Sequence, residues 1–465
     1  MQLVKLITPK RINVLAVVFG LLALLVPGLH NTAFSQDNSP YSRYGIGDIV
    51  PSTHAANRAL GGLAAGFTDA NGIMINFSNP ASYSNFQAIR ELKSKKIVSG
   101  RAILDVGVNF ENRSLLQGNP TEKFLASNAL FSYIQVGVPL KPNWGFSFGL
   151  RPVSRISYKI SQTERLVDPS TGTPIDSAIT QYEGDGGMYL VSAGTGFKIK
   201  SLSLGFNVGY MFGRKDYKTK RAFINDTVDY LQANYETRSN MGNLVVDLGA
   251  QYKFKLTKNV SMTLGAYGNV QQKVRATKEI IRETFYQDAN SGITRLDSVS
   301  VQSNIKGNMI YPASYTAGFV VEKAQSLKEG SWLFGVDFNS QKWSNYRFYG
   351  QQDSVKDSWS IHVGAQLHPA PKRNYWSNVF YRFGFVTGPD YIRFKNKLPS
   401  YGVTFGLGLP IANYNRLSPG QATVINLSME YGKRGNNSNV LRENLFRLTL
   451  GFSLSDFWFI KRKYE

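Results

Sequence analysis

Four histidines and no cysteine set the limits on the chemistry this chain could perform. His30, His54, His362 and His368 show no metal-ligand spacing. The absence of thiols removes disulfides, thiol catalysis and lipid acylation. Glu183-Gly184-Asp185 brings two carboxylates close, yet at a Gly-rich strand start the pair reads as a solvated rim. No Gly-x-Ser-x-Gly elbow, triad order or phosphate loop stands out. The chain is therefore not expected to be an enzyme, and no metal or other cofactor is expected. What remains is guanidinium chemistry. Arg151 and Arg382 could each hold a carboxylate headgroup through paired N–H donors. The plainer role for both is to hydrogen-bond a neighbouring segment or line water, and this role is favoured.

The elements that would position these side chains are strands. In the last one Phe446, Leu448, Leu450, Phe452 and Leu454 alternate with Arg447, Thr449, Gly451 and Ser453, a period of two. The same alternation sets Leu202, Leu204, Phe206, Val208, Tyr210 and Phe212 against Ser203, Gly205, Asn207, Gly209, Met211 and Gly213. Fourteen such segments are expected. The first seven are 101–111, 124–138, 144–160, 181–199, 201–217, 238–253 and 260–276. The second seven are 304–322, 331–339, 354–367, 376–386, 401–409, 422–432 and 445–454. Their apolar faces carry almost no charge, as lipid contact requires, because a cation at mid-membrane costs about 2–4 kcal/mol. The connections alternate long and short, with long ones at 112–123, 161–180, 218–237, 277–303, 340–353, 387–400 and 433–444. An even strand number and sorted loops describe a closed antiparallel transmembrane β-barrel. By parity Arg151, His362 and Arg382 face the lumen, among many Gly and Ser. No purely apolar lumen pocket is visible. Phe457 and Phe459 fall off the phase of the last strand, which implies a bulge or strand end after Asp456.

Composition agrees with this class. Gly (43 residues) and aromatics (13%) are abundant, and the net charge of +22 is large. In a barrel that charge decorates loops and interface rims, facing lipid and lipopolysaccharide phosphates rather than nucleic acid. Residues 1–35 read as a secretory signal, with Lys5, Lys10 and Arg11 before the apolar run Val14–Val26 and a small-residue site at Ala33-Phe34-Ser35. Residues 36–99 lack strand character and hold Ala59-Leu60-Gly61-Gly62-Leu63-Ala64-Ala65-Gly66 and Asn79-Pro80-Ala81. Such small residues suit a segment packed tightly inside another structure. Residues 100–465 form the barrel.

A Gly/Ala-rich leader with Gly61, Gly62, Asn79, Pro80 and Ala81, followed by fourteen strands, resembles the FadL family of outer-membrane transporters. The ending Trp458-Phe459-Ile460-Lys461-Arg462-Lys463-Tyr464 also resembles the PorV-like secretion partners. The FadL resemblance implies that the leader is a hatch lodged in the lumen. It also implies passive uptake of hydrophobic, fatty-acid-like molecules, with sideways exit through a gap where the third strand kinks. Pro152 lies in that strand and lacks a ladder N–H, so it marks either such an opening or an ordinary bulge. The alternative function is an interaction platform, an accessory subunit of a secretion or outer-membrane assembly complex with a protein partner. Either way the expected location is the outer membrane of a gram-negative bacterium, with both mature termini periplasmic or lumenal.

Overall fold

The computed structural model describes residues 39–69, 72–90, 97–118, 122–224, 231–288, 292–326, 328–393, 398–411 and 421–458. The expected leader peptide and the residues after 458 lie outside them. Fourteen antiparallel wall strands close into one barrel. They are β1 Ile97–Gln117, β2 Glu122–Lys141, β3 Trp144–Val167, β4 Pro174–Ile199, β5 Leu202–Ile224 and β6 Gln232–Lys255. Next come β7, in two pieces Val260–Asn269 and Gln272–Asp288, and β8, in two pieces Gly292–Tyr311 and Ser314–Lys323. The circuit ends with β9 Ser331–Gln341, β10 Ser358–His368, β11 Phe380–Pro389, β12 Pro399–Ile411, β13 Ala422–Arg434 and β14 Leu441–Trp458. β14 pairs with β1 from Leu441↔Gln117 to Trp458↔Gly100, so the barrel has no open edge along that joint.

Each expected segment maps onto one wall strand, but several boundaries move. The stretches expected as long loops at 112–123, 161–180, 218–237 and 277–303 are mostly strand. Ladder hydrogen bonds continue to the hairpin tips, as in Leu166↔Asp176 and Phe285↔Gln232. The long and short ends are real, but on β3 to β8 the long end is a tall palisade. Of the bulge or strand end expected after Asp456, no bulge is seen, and the described strand ends at Trp458. The ladder runs on unshifted, and Phe457 turns its ring under the Arg101 guanidinium, 4.4 Å from centroid. A local cation–π contact explains the aromatic out of phase.

Exposure follows parity. On β5, Leu202, Phe206, Val208, Tyr210 and Phe212 are exposed, while Ser203, Asn207 and Met211 are buried inward. Phe334 and Phe338 against Leu333 and Asp337 repeat the pattern on β9. Among the described residues no helix is long and apolar enough to cross a membrane, so the crossing elements are the strands.

The segment before the wall packs against inward-facing wall side chains. Its pieces are a 3-10 turn at Pro40–Arg43, a two-residue strand Asp48–Ile49, the short helix α1 Ala55–Ala59 and a second 3-10 turn at Pro80–Asn85. Leu60, Leu63, Ala64, Ala65, Ile75 and Ala81 have no exposed surface, though among the segment's described residues α-helix covers only Ala55–Ala59. A strand pairs Ala88–Arg90 with β1 and leads into the wall.

Candidate functional site

Several contacts facing the lumen join a backbone group of the N-terminal segment to a wall side chain. Such a segment leaves many N–H and C=O groups without a ladder partner, and buried groups need partners. Asp337 on β9 meets two of them: one carboxylate oxygen accepts from Ala64 N at 2.7 Å and Ala65 N at 2.8 Å. Asp105 on β1 accepts from Ile75 N at 2.7 Å. Thr404 on β12 accepts from Gly61 N and donates to Ala59 O, both at 3.0 Å. Arg58 donates to Asn109 at 2.6 Å, and His54 caps α1 by accepting from Ala56 N at 3.0 Å.

Glycines make the room. A methyl group on Gly205 or Gly249 would overlap Pro80, one on Gly265 would overlap Ala65, and one on Gly384 would overlap Gly61. Gly406 faces Ala59 and Gly451 faces Ala55 in the same way. The inward glycines of successive strands thus form a belt at the level where the segment's backbone meets the wall. Gly61 and Gly62 themselves adopt φ of +69° and +92°, a left-handed turn that L side chains resist. Asn79 closes the fold of the segment: its amide donates to Ala65 O at 2.8 Å and its oxygen accepts from Ala81 N at 3.1 Å. Pro80 begins the turn that follows, with Ala81 fully buried inside it.

The remaining candidates also contact this segment. His362 on β10 places Nδ1 2.6 Å from Gly61 O and Nε2 2.8 Å from Ser360 Oγ. Arg382 on β11 is fully buried and donates to Gln366 at 2.7 Å and Asn426 at 2.8 Å, with Met74 Sδ at 4.0 Å. Arg151 donates to Ser52 O at 3.1 Å and lies 3.8 Å from Asp247. All three face inward, and each is held by protein atoms. Glu183 pairs with Lys159 and Lys220, whereas Asp185 pairs with Arg214, so the two acids serve separate cations. Among the described residues no three His, Asp or Glu side chains gather as a metal site.

The sequence reading missed an apolar layer at the tall end. Met188, Leu190, Met211, Met241, Val245, Val274 and Met309 point inward and pack with Tyr41 and Ile46. Trp343, Tyr346, Val355, Tyr391 and Ile392, from the connections after β9 and β11, cover the layer. Burial raises the phenol pKa of Tyr41, Tyr346 and Tyr391, so their hydroxyls stay protonated donors. The signal for this layer was Met211, an apolar residue on the polar side of β5. An ionic cluster beside it ties the segment down. Asp48 pairs with Arg113 and, at 3.0 Å, with Arg434, while Ser39 donates to Glu443 at 2.5 Å. A cavity of 130 Å³ remains, bounded by Ile49, Val153, Leu190, Arg151, Asp247 and Gln272 among others.

Beside that cavity the wall is split. β2 and β3 pair only from Lys141↔Trp144 to Ile134↔Leu150. Immediately beyond, the β3–β4 register shifts between Pro152 and Ser154, a bulge where proline is tolerated. Just beyond it Gly186 and Gly187 on β4, opposite Ile156 and Arg155, take φ of +130° and +146°. Above the bulge the partner of β3 is no longer β2. Asp48↔Arg155 and Ile49↔Ser154 pair as antiparallel strands, Val50 N donates to Val153 O at 3.1 Å, and Ser39 N donates to Ser157 O at 3.1 Å. There the N-terminal segment, not β2, takes the hydrogen-bonding edge of β3.

Several solved barrels are similar to this one. They include the CymD monoaromatic hydrocarbon channel (TM-score 0.47, 13% identity, 88% of this chain and 98% of that one). The Pseudomonas putida toluene transporter TodX gives 0.47 and 14%, over 89% of this chain and 99% of that one. A Pseudomonas aeruginosa FadL homologue gives 0.49 and 11%, over 90% and 100%. No curated protein matches the sequence. The family model described as BamG matches residues 15–465, nearly the whole length, and the chain is a member of the BamG family.

Proposed function

We propose that this outer-membrane barrel serves as an interaction subunit, an accessory component of an outer-membrane assembly complex, rather than as an open conduit. The observation that carries this reading is the packed lumen. The segment 39–86 is bonded to β1, β9, β10 and β12, and the two described cavities beside Ile49 measure 130 and 170 Å³. A transport path would need to break these contacts, whereas a scaffold gains rigidity from them. The family's name, BamG, points toward assembly machinery. With the tall hairpins taken as extracellular, both ends of the wall lie at the periplasmic rim. Residues 1–35 act as a leader and 36–99 as the plug of a barrel formed by 100–465.

The test is to isolate the full chain from native outer membranes in mild detergent. A stoichiometric protein complex, with no hydrophobic ligand detected by mass spectrometry, is expected. A barrel recovered alone with bound lipid-like material overturns the reading.

A second reading is uptake of small hydrophobic molecules with lateral exit at Pro152. The split between β2 and β3 beside the cavity favours it. A volume of 130 Å³ is close to that of cavities that hold benzene, about 150 Å³, so the ligand would be small rather than a long acyl chain. Uptake of a labelled monoaromatic compound by cells with and without the chain decides this reading.

A further inference from the structure

We infer that the stretch of β2 from Ala126 to Ser132 is a docking edge for an extended β-strand of another polypeptide. This rests on the interaction-subunit reading and specifies its contact.

β2 is bound on one side by β1 along its length, as in Glu122↔Gln117 and Phe131↔Val108. On its other side the ladder to β3 stops at Ile134. The segment Asp48–Ile49 pairs with β3, not with β2. Among the described residues, no strand pairs with the open side of β2 from Ala126 to Ser132.

The paired part, Trp144 to Leu150, covers about 18 Å of an apolar band about 25 Å tall, at a rise of about 3.4 Å and a tilt of about 40°. The free edge therefore starts at the depth of the outer leaflet. Backbone N–H and C=O groups there need partners that lipid tails do not carry. A strand supplies them by adding to the sheet, with its alternate side chains reaching pockets on either face.

The split has room and chemistry for one. A cavity of 740 Å³ lies between Asn128 and Leu130 of β2 and Arg155, Ser157, Tyr189 and Arg214 of the facing strands. Tyr189 and Phe212 in its lining are exposed, and Asp185 is the one carboxylate lining it against two guanidiniums. A strand with apolar alternate residues and no net positive charge fits this lining.

The native chain has no cysteine, so single thiols can be introduced cleanly. Full-length barrels carrying p-benzoylphenylalanine in place of Ser127 or Ala129 are irradiated in native outer membranes, so that the ketone inserts into a neighbouring C–H bond, and the adducts are mapped by mass spectrometry, while Ser127→Cys and Ala129→Cys barrels report thiol reactivity. Heat-modifiable migration checks that each variant is folded. The expected result is that the two positions join residues two apart in one extended segment of a single partner. The thiols are also expected to be shielded in native membranes but reactive after purification and reconstitution in lipid vesicles. Adducts scattered over several proteins, equal reactivity in both settings, or shielding that persists in pure lipid each overturn the proposal. If a complex co-purifies without the mapped adducts, the strand site fails and the interaction subunit stands. If the barrel is isolated alone, both fail.

Discussion

His362 Nδ1 lies 2.6 Å from the carbonyl oxygen of Gly61, joining β10 to a left-handed turn of the lumenal segment. The next residue, Gly62, faces the same ring, and a Cβ there would approach His362 Nδ1 to 2.9 Å. Gly61 has less room still, with the Phe385 backbone 2.8 Å from its virtual Cβ.

Gly61→Val should therefore dislodge the segment while the wall still forms. A left-handed residue with a side chain costs about 1–2 kcal/mol, and the overlap with Phe385 adds to that. Limited proteolysis of folded barrels should cut within 39–86 at least several-fold faster than in wild type. Unchanged protection would show that the turn is not what holds the segment.

Asp337→Ala is the complementary wall substitution. It leaves Ala64 N and Ala65 N unpaired in a buried site, at about 1–3 kcal/mol for each unmet group. Thermal unfolding in detergent should move down clearly. Asn339→Ala, two residues along, should move it less, because Asn339 bonds Ser314 and Thr316 within the wall and is half-exposed.

The wall was legible from sequence because lipid imposes a strict rule: every outward residue between the rims must be apolar. Alternation over Leu202–Phe212 or Phe446–Leu454 expresses that rule directly, and strand order follows from hairpins. The interior obeys no such repeat. Asp337 and Asp105 look like ordinary polar lumen positions, and only the fold of residues 39–86 reveals that each meets a bare N–H. The glycine belt was visible as abundance but not as a level, since the register that aligns Gly205, Gly249 and Gly265 is a property of pairing. The height of the palisade was hidden because residues such as 218–224 carry charges that suit loops and solvated strands equally.

Arg382 tests whether a buried guanidinium here binds ligands or holds structure. It is enclosed by Gln366, Asn426, Met74 and the Phe380 ring, 5.3 Å from its centroid. Arg382→Met, which keeps volume without charge, should leave any uptake of anionic hydrophobic compounds unchanged. A selective loss of carboxylate-bearing substrates would assign Arg382 to headgroup binding instead.

Leu450→Arg probes the lipid face of the closing strand. Leu450 sits opposite Val108 on β1 and Leu427 on β13, with its side chain directed outward. A cation at mid-membrane costs about 2–4 kcal/mol, enough to block insertion of a strand that must complete the ring. The heat-modifiable folded band should disappear. Thr449→Arg, one residue away on the inward face, should fail for another reason, because it meets Arg58 and Asn109.

The seam between the N-terminal segment and β3 separates the two functional readings. Ile49 and Ser154 are cross-strand partners, so Ile49→Cys with Ser154→Cys should form a disulfide in a chain without other thiols. The bond would fix the segment in the wall just above the Pro152 bulge. If hydrophobic molecules leave through that point, the oxidised variant should lose uptake and regain it on reduction. If the barrel works as a closed interaction subunit, oxidation should leave complex formation intact and raise thermal stability. The second outcome is expected, because the segment already satisfies the β3 edge and the ionic cluster at Asp48 already secures it.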